Sequence, residues 1–183
     1  KEATEKRGLC NYRTTPDCIP HVLDKKNVDM LVGHKVFTEA ELKSRCEIQL
    51  ENYCKTVVIE ANTMVSMAKT LIAPAVEAYA ADVAKAVAAK RVVDANLPCK
   101  YESKLIKNLS ALTDRIASCI EELEMALQEL HEAKDVVDEA NAIRDNVLEK
   151  MNALRIACDE AELLTAKKYW PFPTYSDLLF GVK

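Results

Sequence analysis

Glycine is nearly missing from this chain: three residues in 183, at positions 8, 33 and 181. So few cannot punctuate a turn-rich β-architecture, and glycines this scattered make no phosphate-cradling loop. Aromatic residues are 5% of the chain, with a single Trp. Lys and Arg form no continuous block and the net charge is −4, which leaves no electrostatic reason to bind nucleic acid. The most apolar stretch, Leu71 to Val76, ends at Glu77, far short of the roughly 20 residues that cross a bilayer. No membrane partner is expected, and no leader is visible at Lys1-Glu2-Ala3. There is no H-E-x-x-H and no C-x-x-C, so two common metal signatures are absent.

What remains is helix-forming material. Hydrophobic residues are 49% and charged residues 30%, enough for one folded domain with a sizeable core rather than disorder. Abundant Ala favours few, long helices. The expectation is an all-α fold. Long antiparallel helices would form an elongated, coiled-coil-like bundle, with an irregular N-terminal segment and an aromatic C-terminal tail.

Residues 1–37 read as irregular with short helices. Glu2 to Arg7 looks like the end of a helix, with Gly8 as its left-handed C′ residue and Leu9 as the apolar residue after it. Thr14-Thr15-Pro16-Asp17 is turn chemistry. A short helix over Val22 to Leu31 would be ended by Gly33.

The long-helix region spans 38–168. Thr38 caps the first long helix, and Glu41 closes the capping box. Apolar residues recur at Leu42, Cys46, Leu50, Tyr53, Val57, Ala61, Met64, Ala68 and Leu71, one face of a helix. Val58, Ile59 and Val65 add a second face, so burial all round is expected from Val57 to Val76. Pro74 predicts a kink rather than a stop, because helical residues resume from Ala75. Small residues from Ala78 to Ala89 permit close backbone approach of a neighbour. A second helix, Tyr101 to His131, carries Leu105, Leu109, Leu112, Ile116, Cys119, Leu123, Ala126 and Leu130. The third carries Val136, Ala140, Ile143, Val147, Met151, Leu154, Cys158 and Ala161. From Cys99 to Trp170 there is neither Gly nor Pro. Uninterrupted, these two would run roughly 100 Å at 1.5 Å per residue. A hairpin is preferred, with Asp135 as the N-cap of the third helix.

Residues 169–183 hold the Trp, two Phe and two Tyr. Pro171 and Pro173 stop the preceding helix, since Pro lacks the donor N–H. Thr174 then caps a short last helix with Asp177 as its capping-box partner. An aromatic tail after a stopped helix reads as a latch. It either closes its own bundle or docks on another domain or subunit.

No catalytic, cofactor-binding or metal-binding residue is assigned. Catalysis needs convergent polar groups, and the sequence presents no such set. His131 and Asp135 have i,i+4 spacing but read as a solvated pair near a helix end. His21 and His34 stand isolated. Glu121, Glu122, Glu124, Glu129 and Glu132 fall between stripe positions and read as a wet face. Arg45 is expected to pair with Glu41, with a carboxylate outside the chain as the sharper alternative. Glu51 and Lys55 form a second i,i+4 pair. The cysteines at 10, 18, 46, 54, 99, 119 and 158 read as free thiols in a reducing cytoplasm rather than disulfides or metal ligands. A cysteine-based sensor is the rival reading that native thiol titration would test.

The run Trp170-Pro-Phe-Pro-Thr-Tyr-Ser-Asp-Leu-Leu-Phe180 resembles the extreme C-terminus of type III glutamine synthetases. Met151-Asn-Ala-Leu-Arg155 with Asp159-Glu160 resembles the helix before it. Glu5-Lys6-Arg7-Gly8-Leu9, Thr14-Thr15-Pro16-Asp17 and Lys35-Val36-Phe37-Thr38-Glu39-Ala40-Glu41-Leu42 are similar to the segment leaving that family's catalytic core. Ser44 to Ile48, Leu50 to Thr56 and Ile59-Glu60-Ala61 resemble its first long C-terminal helix. From Lys90 to Glu132 only helical pattern is shared. Cys10, Cys18 and Cys46 stand where Pro, Ala and Tyr are expected, and Lys43 where His is.

The resemblance implies a parent enzyme that ligates ammonia to glutamate with ATP, through a γ-glutamyl phosphate assisted by Mg²⁺ or Mn²⁺, in stacked hexameric rings. The ATP site, glutamate pocket and metal carboxylates would lie in an upstream catalytic core absent from this sequence, so no cofactor is assigned to the chain itself. A chain starting at Lys rather than Met is then expected to be a C-terminal piece. Its partners would be that core and other subunits, and it would be inactive alone. The alternative class is a free-standing helical scaffold or adaptor.

Overall fold

A computed structural model describes residues 2–181, and among them there is no β-strand. The fold is all-α. The chain divides into two compact units: Lys1–Glu60 with Leu127–Leu148, and Ala61–Ala126 with Glu149–Lys183.

The first unit opens with a wide π-helical turn, Glu2–Lys6. Gly8 lies beyond it at φ 65°, the left-handed conformation expected of it, and the Leu9 N–H reaches back to the Ala3 carbonyl. Helix α1 (Thr15–Cys18) is capped by Thr14, whose side chain accepts from the Asp17 N–H, and Pro16 is buried in its first turn. A 3₁₀ turn (Ile19–Leu23) leads into α2 (Lys25–Gly33).

Gly33 ends α2 as expected, but it is not the left-handed residue of the cap. It is the last helical residue, and the left-handed position falls on Lys35, φ 55°. The Val36 N–H bonds the Leu31 carbonyl and the Lys35 N–H bonds that of Val32. This is the paired closure of a Schellman motif with Lys at C′.

Helix α3 (Glu39–Met67) starts as expected: the Thr38 N–H donates to Glu41 at 2.7 Å, and the Glu41 N–H donates to the Thr38 hydroxyl at 3.2 Å. Within this unit α3 buries Leu42, Cys46, Leu50, Cys54 and Val57. The other wall is α6 (Val136–Ala142) and the π-helical turn Ile143–Val147, where Ala140, Ile143 and Val147 are 0% exposed. Each large apolar side chain buried this completely contributes about 1.5–3 kcal/mol. Arg144 ties this turn to α1 through Asp17 at 2.6 Å, and it also grips Asp145.

The second unit contains the end of α3, a π-helical turn (Ala68–Ile72), α4 (Ala73–Val93), α5 (Lys100–Glu129, up to Ala126) and α7 (Leu148–Leu164, from Glu149). The backbone stays helical through Pro74. A proline removes one donor and crowds the preceding turn, and the widened turn sits just before it. Ion pairs set the directions. Lys69, in the turn before α4, meets Glu124, and Lys90, near the end of α4, meets Glu102, so α4 runs against α5. Lys150 meets Glu122 and Arg115 meets Glu160, so α7 also runs against α5. Between them lie Leu109, Ile116, Leu123 and Leu154, each 0% exposed.

Two packing expectations are corrected. The stretch from Val57 to Val76 is not buried all round: Ile59 is 66% exposed and Leu71 42%. On α5, Ile120 is buried while Cys119 is only half-buried, as is Leu130 in the turn beyond the helix. The exchange is local, since Leu123 and Ala126 stay buried at their expected positions. On α4, Ala80 is buried, but Ala78, Ala81, Ala84, Ala86, Ala88 and Ala89 are exposed. The α5–α6 junction is a 3₁₀ turn (Leu130–Glu132), and Asp135 caps α6 by accepting from the Val137 and Asp138 N–H groups at 2.9 and 2.8 Å.

Candidate functional site

The C-terminal tail is built by local rules and then fastened at a distance. Helix α7 ends at Leu164. Thr165 is buried, and its hydroxyl donates to the Ala161 carbonyl at 2.7 Å, so its polar group is satisfied. Tyr169 follows in a turn, its N–H bonding the Ala166 carbonyl. Its hydroxyl donates to the Asp82 carboxylate, and its ring lies 5.2 Å from that of Tyr79. Tyr79 and Asp82 are i,i+3 neighbours on α4 and so share a face. The same hydrogen bond is the first cause of two opposed shifts: the Tyr169 hydroxyl is pushed up and the Asp82 carboxyl down. The Lys168 ammonium rests over the Tyr169 ring at 5.2 Å.

On either side of Pro171, Trp170 and Phe172 pack edge to face at 6.2 Å. Helix α8 (Tyr175–Phe180) has the expected capping box: Thr174 accepts from the Asp177 N–H, and Asp177 accepts from the Thr174 N–H. Lys167 also donates to Asp177, which with Thr174 lowers that carboxyl to about 2. The apolar side chains of α8 are open, with Tyr175 80%, Leu178 68%, Leu179 63% and Phe180 78% exposed. The tail is therefore held at its root and bare at its tip.

Other residues singled out in the sequence are placed individually. Arg45 makes no close ion pair with Glu41, although its charge adds to the Thr38 hydrogen bonds in lowering the Glu41 pKa. Glu41 is engaged by Thr38, and the Arg45 guanidinium sits 4.6 Å over the Phe37 ring. His21 is not isolated: it stacks on Tyr12 at 4.1 Å and meets Asp24 at 3.1 Å. His34 closes α2 through its backbone N–H. His131 is exposed, and Asp135 is committed to capping. The acidic cluster is more than a wet face. Glu122 and Glu124 reach across to Lys150 and Lys69, and Glu129 accepts from Asn146 at 3.2 Å.

All seven cysteines are free; Cys46, Cys54, Cys99 and Cys158 are buried. Burial pushes Cys54 and Cys158 up to about 11, so both are protonated near neutral pH and weakly nucleophilic. Among the described residues no group of three or more His, Cys, Asp or Glu is arranged to hold a metal ion. No helix among them is long and apolar enough to cross a membrane. The arrangement can pack, bind and fasten. The tail's receptor, Tyr79 and Asp82, was missed in the sequence, although their shared face on an Ala-rich helix was a usable signal.

Residues 1–91 match the family model described as the glutamine synthetase C-terminal domain. The chain is 31% identical over 182 residues to the glutamine synthetase of Butyrivibrio fibrisolvens, covering all of this chain and 26% of that protein. It is 29% identical to the type-3 glutamine synthetase of Dictyostelium discoideum and 25% identical to a glutamine synthetase of Bacteroides fragilis (strain YCH46). Each of these alignments covers 98% of this chain and 25% of the relative. The chain thus spans about a quarter of the length of the curated relatives it matches, at their C-terminal part. A domain match over the first half, and the same enzymes aligned along the whole length, lead to one assignment: the chain belongs to the glutamine synthetase C-terminal domain family.

Proposed function

We propose that this chain is the structural C-terminal region of a type-3 glutamine synthetase. In this reading its helices buttress the rest of the enzyme or pack between its subunits, and the aromatic tail fixes their ends. The parent would ligate ammonia to glutamate with ATP, in the cytoplasm, as hexameric rings. Its ATP would be held by the rest of the enzyme, and so would its Mg²⁺ or Mn²⁺, for which the donor sets on the described residues do not fit.

The observation that supports a structural role is helix α8. It is capped and tethered, yet Leu178, Leu179 and Phe180 are exposed on a short helix that buries nothing of its own. Apolar side chains grouped like this are the usual mark of a contact with another protein surface.

Two measurements test the reading. The purified 183-residue chain, given ATP, glutamate, ammonia and Mg²⁺, is expected to form no glutamine; product above the enzyme-free rate overturns the assignment of catalysis elsewhere. In the full-length enzyme, Leu178→Asp with Phe180→Asp should shift sedimentation towards smaller species while helicity is retained. Unchanged assembly removes the subunit-packing role.

A further inference from the structure

The second unit sorts its cations into two groups. Every described Lys or Arg away from the α4–α5 connection has a partner: a carboxylate for each but Lys168, which lies over the Tyr169 ring. Arg91, Lys100, Lys104 and Lys107 are the exceptions. None of these four is ion-paired among the described residues, and all four line one hollow of about 490 Å³.

The grouping has a plain cause in the helices. Lys100, Lys104 and Lys107 are spaced i, i+4, i+7 along α5 and therefore share a face. Arg91 stands in the last turn of α4, which stops at Val93. The carboxylates nearest in sequence are committed elsewhere. Glu102 is held by Lys90, which lowers its pKa, and Asp94 accepts from the Asn96 N–H at 2.9 Å. The rest of the lining is Ser103, with its hydroxyl, and the less polar Leu97, Pro98 and Cys99.

Four like charges around one concave wall repel, and salt screens them only beyond a Debye length of about 10 Å. A bound polyanion converts that repulsion into attraction. A lone carboxylate offers a single charge. Linked phosphates offer several charges and many acceptor oxygens, which suit a guanidinium fork, three ammonium groups and a hydroxyl. The volume falls within the range of small-ligand sites, about 300–1,000 Å³. We propose that this hollow binds an anion carrying at least two linked phosphate groups, held by Arg91, Lys100, Lys104 and Lys107. The proposal stands independently of the structural role argued above.

The test is amine acylation of the intact protein, read lysine by lysine by mass spectrometry, with pyrophosphate, ATP or sodium chloride at matched ionic strength. At about ten times its dissociation constant, pyrophosphate should slow acylation of Lys100, Lys104 and Lys107 roughly tenfold by mass action, while Lys85 is unchanged. The double variant Lys104→Gln with Lys107→Gln should abolish protection of Lys100 and keep its helicity. Protection by pyrophosphate means that phosphate groups suffice. Protection by ATP alone assigns the site to a nucleotide's phosphate tail. Either outcome supports the proposal. No protection by either compound, or equal protection by sodium chloride, overturns it.

Discussion

The hydroxyl of Tyr169 donates a hydrogen bond to the carboxylate of Asp82, joining the C-terminal tail to helix α4 across 87 residues of sequence. The Tyr79 ring supports the same contact from the side. The tail's root is therefore held by one polar bond and one ring contact, and these can be separated by mutation. Tyr169→Phe keeps the ring and loses the donor, whereas Tyr169→Ala loses both. Tryptic cleavage after Lys168 should accelerate slightly in the first variant and several-fold in the second. Equal rates in both variants and the parent chain would show that the tail is held elsewhere.

The tail should also loosen in acid. The Asp177 carboxyl is lowered to about 2, first by the Lys167 hydrogen bond and then by Thr174. A depressed folded-state pKa contributes stability above the unfolded value, near 3.9, and loses it as pH falls through the folded value. Anchorage of α8 should thus be complete at pH 5 and above and fade between about pH 4 and 2. Trp170, the only tryptophan in the chain, reports the change by fluorescence. Asp177→Asn should show the loosened signal already at neutral pH, with no transition in that window.

Depth in the core separates two leucines of the same helix. Leu154 is 0% exposed and Leu163 is 85% exposed. Leu154→Ala should destabilise by about 2–5 kcal/mol, transfer and cavity costs together. Leu163→Ala should fall within about 0.5 kcal/mol of the parent chain. Urea unfolding at constant slope measures both. Similar costs would mean that the α7 seam is misplaced.

One buried group is expected to be a liability. The Tyr53 hydroxyl is buried and has no hydrogen-bond partner among the described residues, and burial raises its pKa. Leaving such a hydroxyl unsatisfied costs about 1–3 kcal/mol. Tyr53→Phe should therefore be neutral or stabilising by up to about 1 kcal/mol, because the ring contacts remain. A loss of stability on thermal unfolding would show that the hydroxyl has a bonding role.

These contacts also mark what sequence pattern could reach. The capping residues Thr38, Asp135 and Thr174 were readable because a cap is decided within four residues. The stripe from Leu105 to Leu123 was readable because burial repeats with the helix turn. The exchange of Cys119 for Ile120 was not, since both adjacent residues are apolar and the pattern alone cannot choose between them. Arg45 was read only in part: its charge still acts on Glu41, but the Phe37 ring, outside the helix, holds the guanidinium. The four cations of the hollow are spread from Arg91 to Lys107, and only the turn back of α5 on α4 brings Arg91 to the lysines.

The end of α2 joins local strain to an open position. Lys35 holds φ 55°, and a left-handed L-residue costs roughly 1–2 kcal/mol that glycine avoids. Lys35→Gly should recover part of this and stabilise the first unit by about 0.5–1 kcal/mol, the rest going to the greater freedom of the unfolded chain. Gly33 is the opposite case. It is the last residue of the helix, with the positive φ on Lys35 two residues further on, and a Cβ added there meets nothing within 4 Å. Gly33→Ala should gain up to about 1 kcal/mol from helix propensity alone. The positions share one cap, so the double variant need not show the plain sum. Thermal unfolding should rank both single variants above the parent chain. A lower midpoint for Lys35→Gly would mean that the Lys35 side chain makes a contact worth more than the strain it imposes.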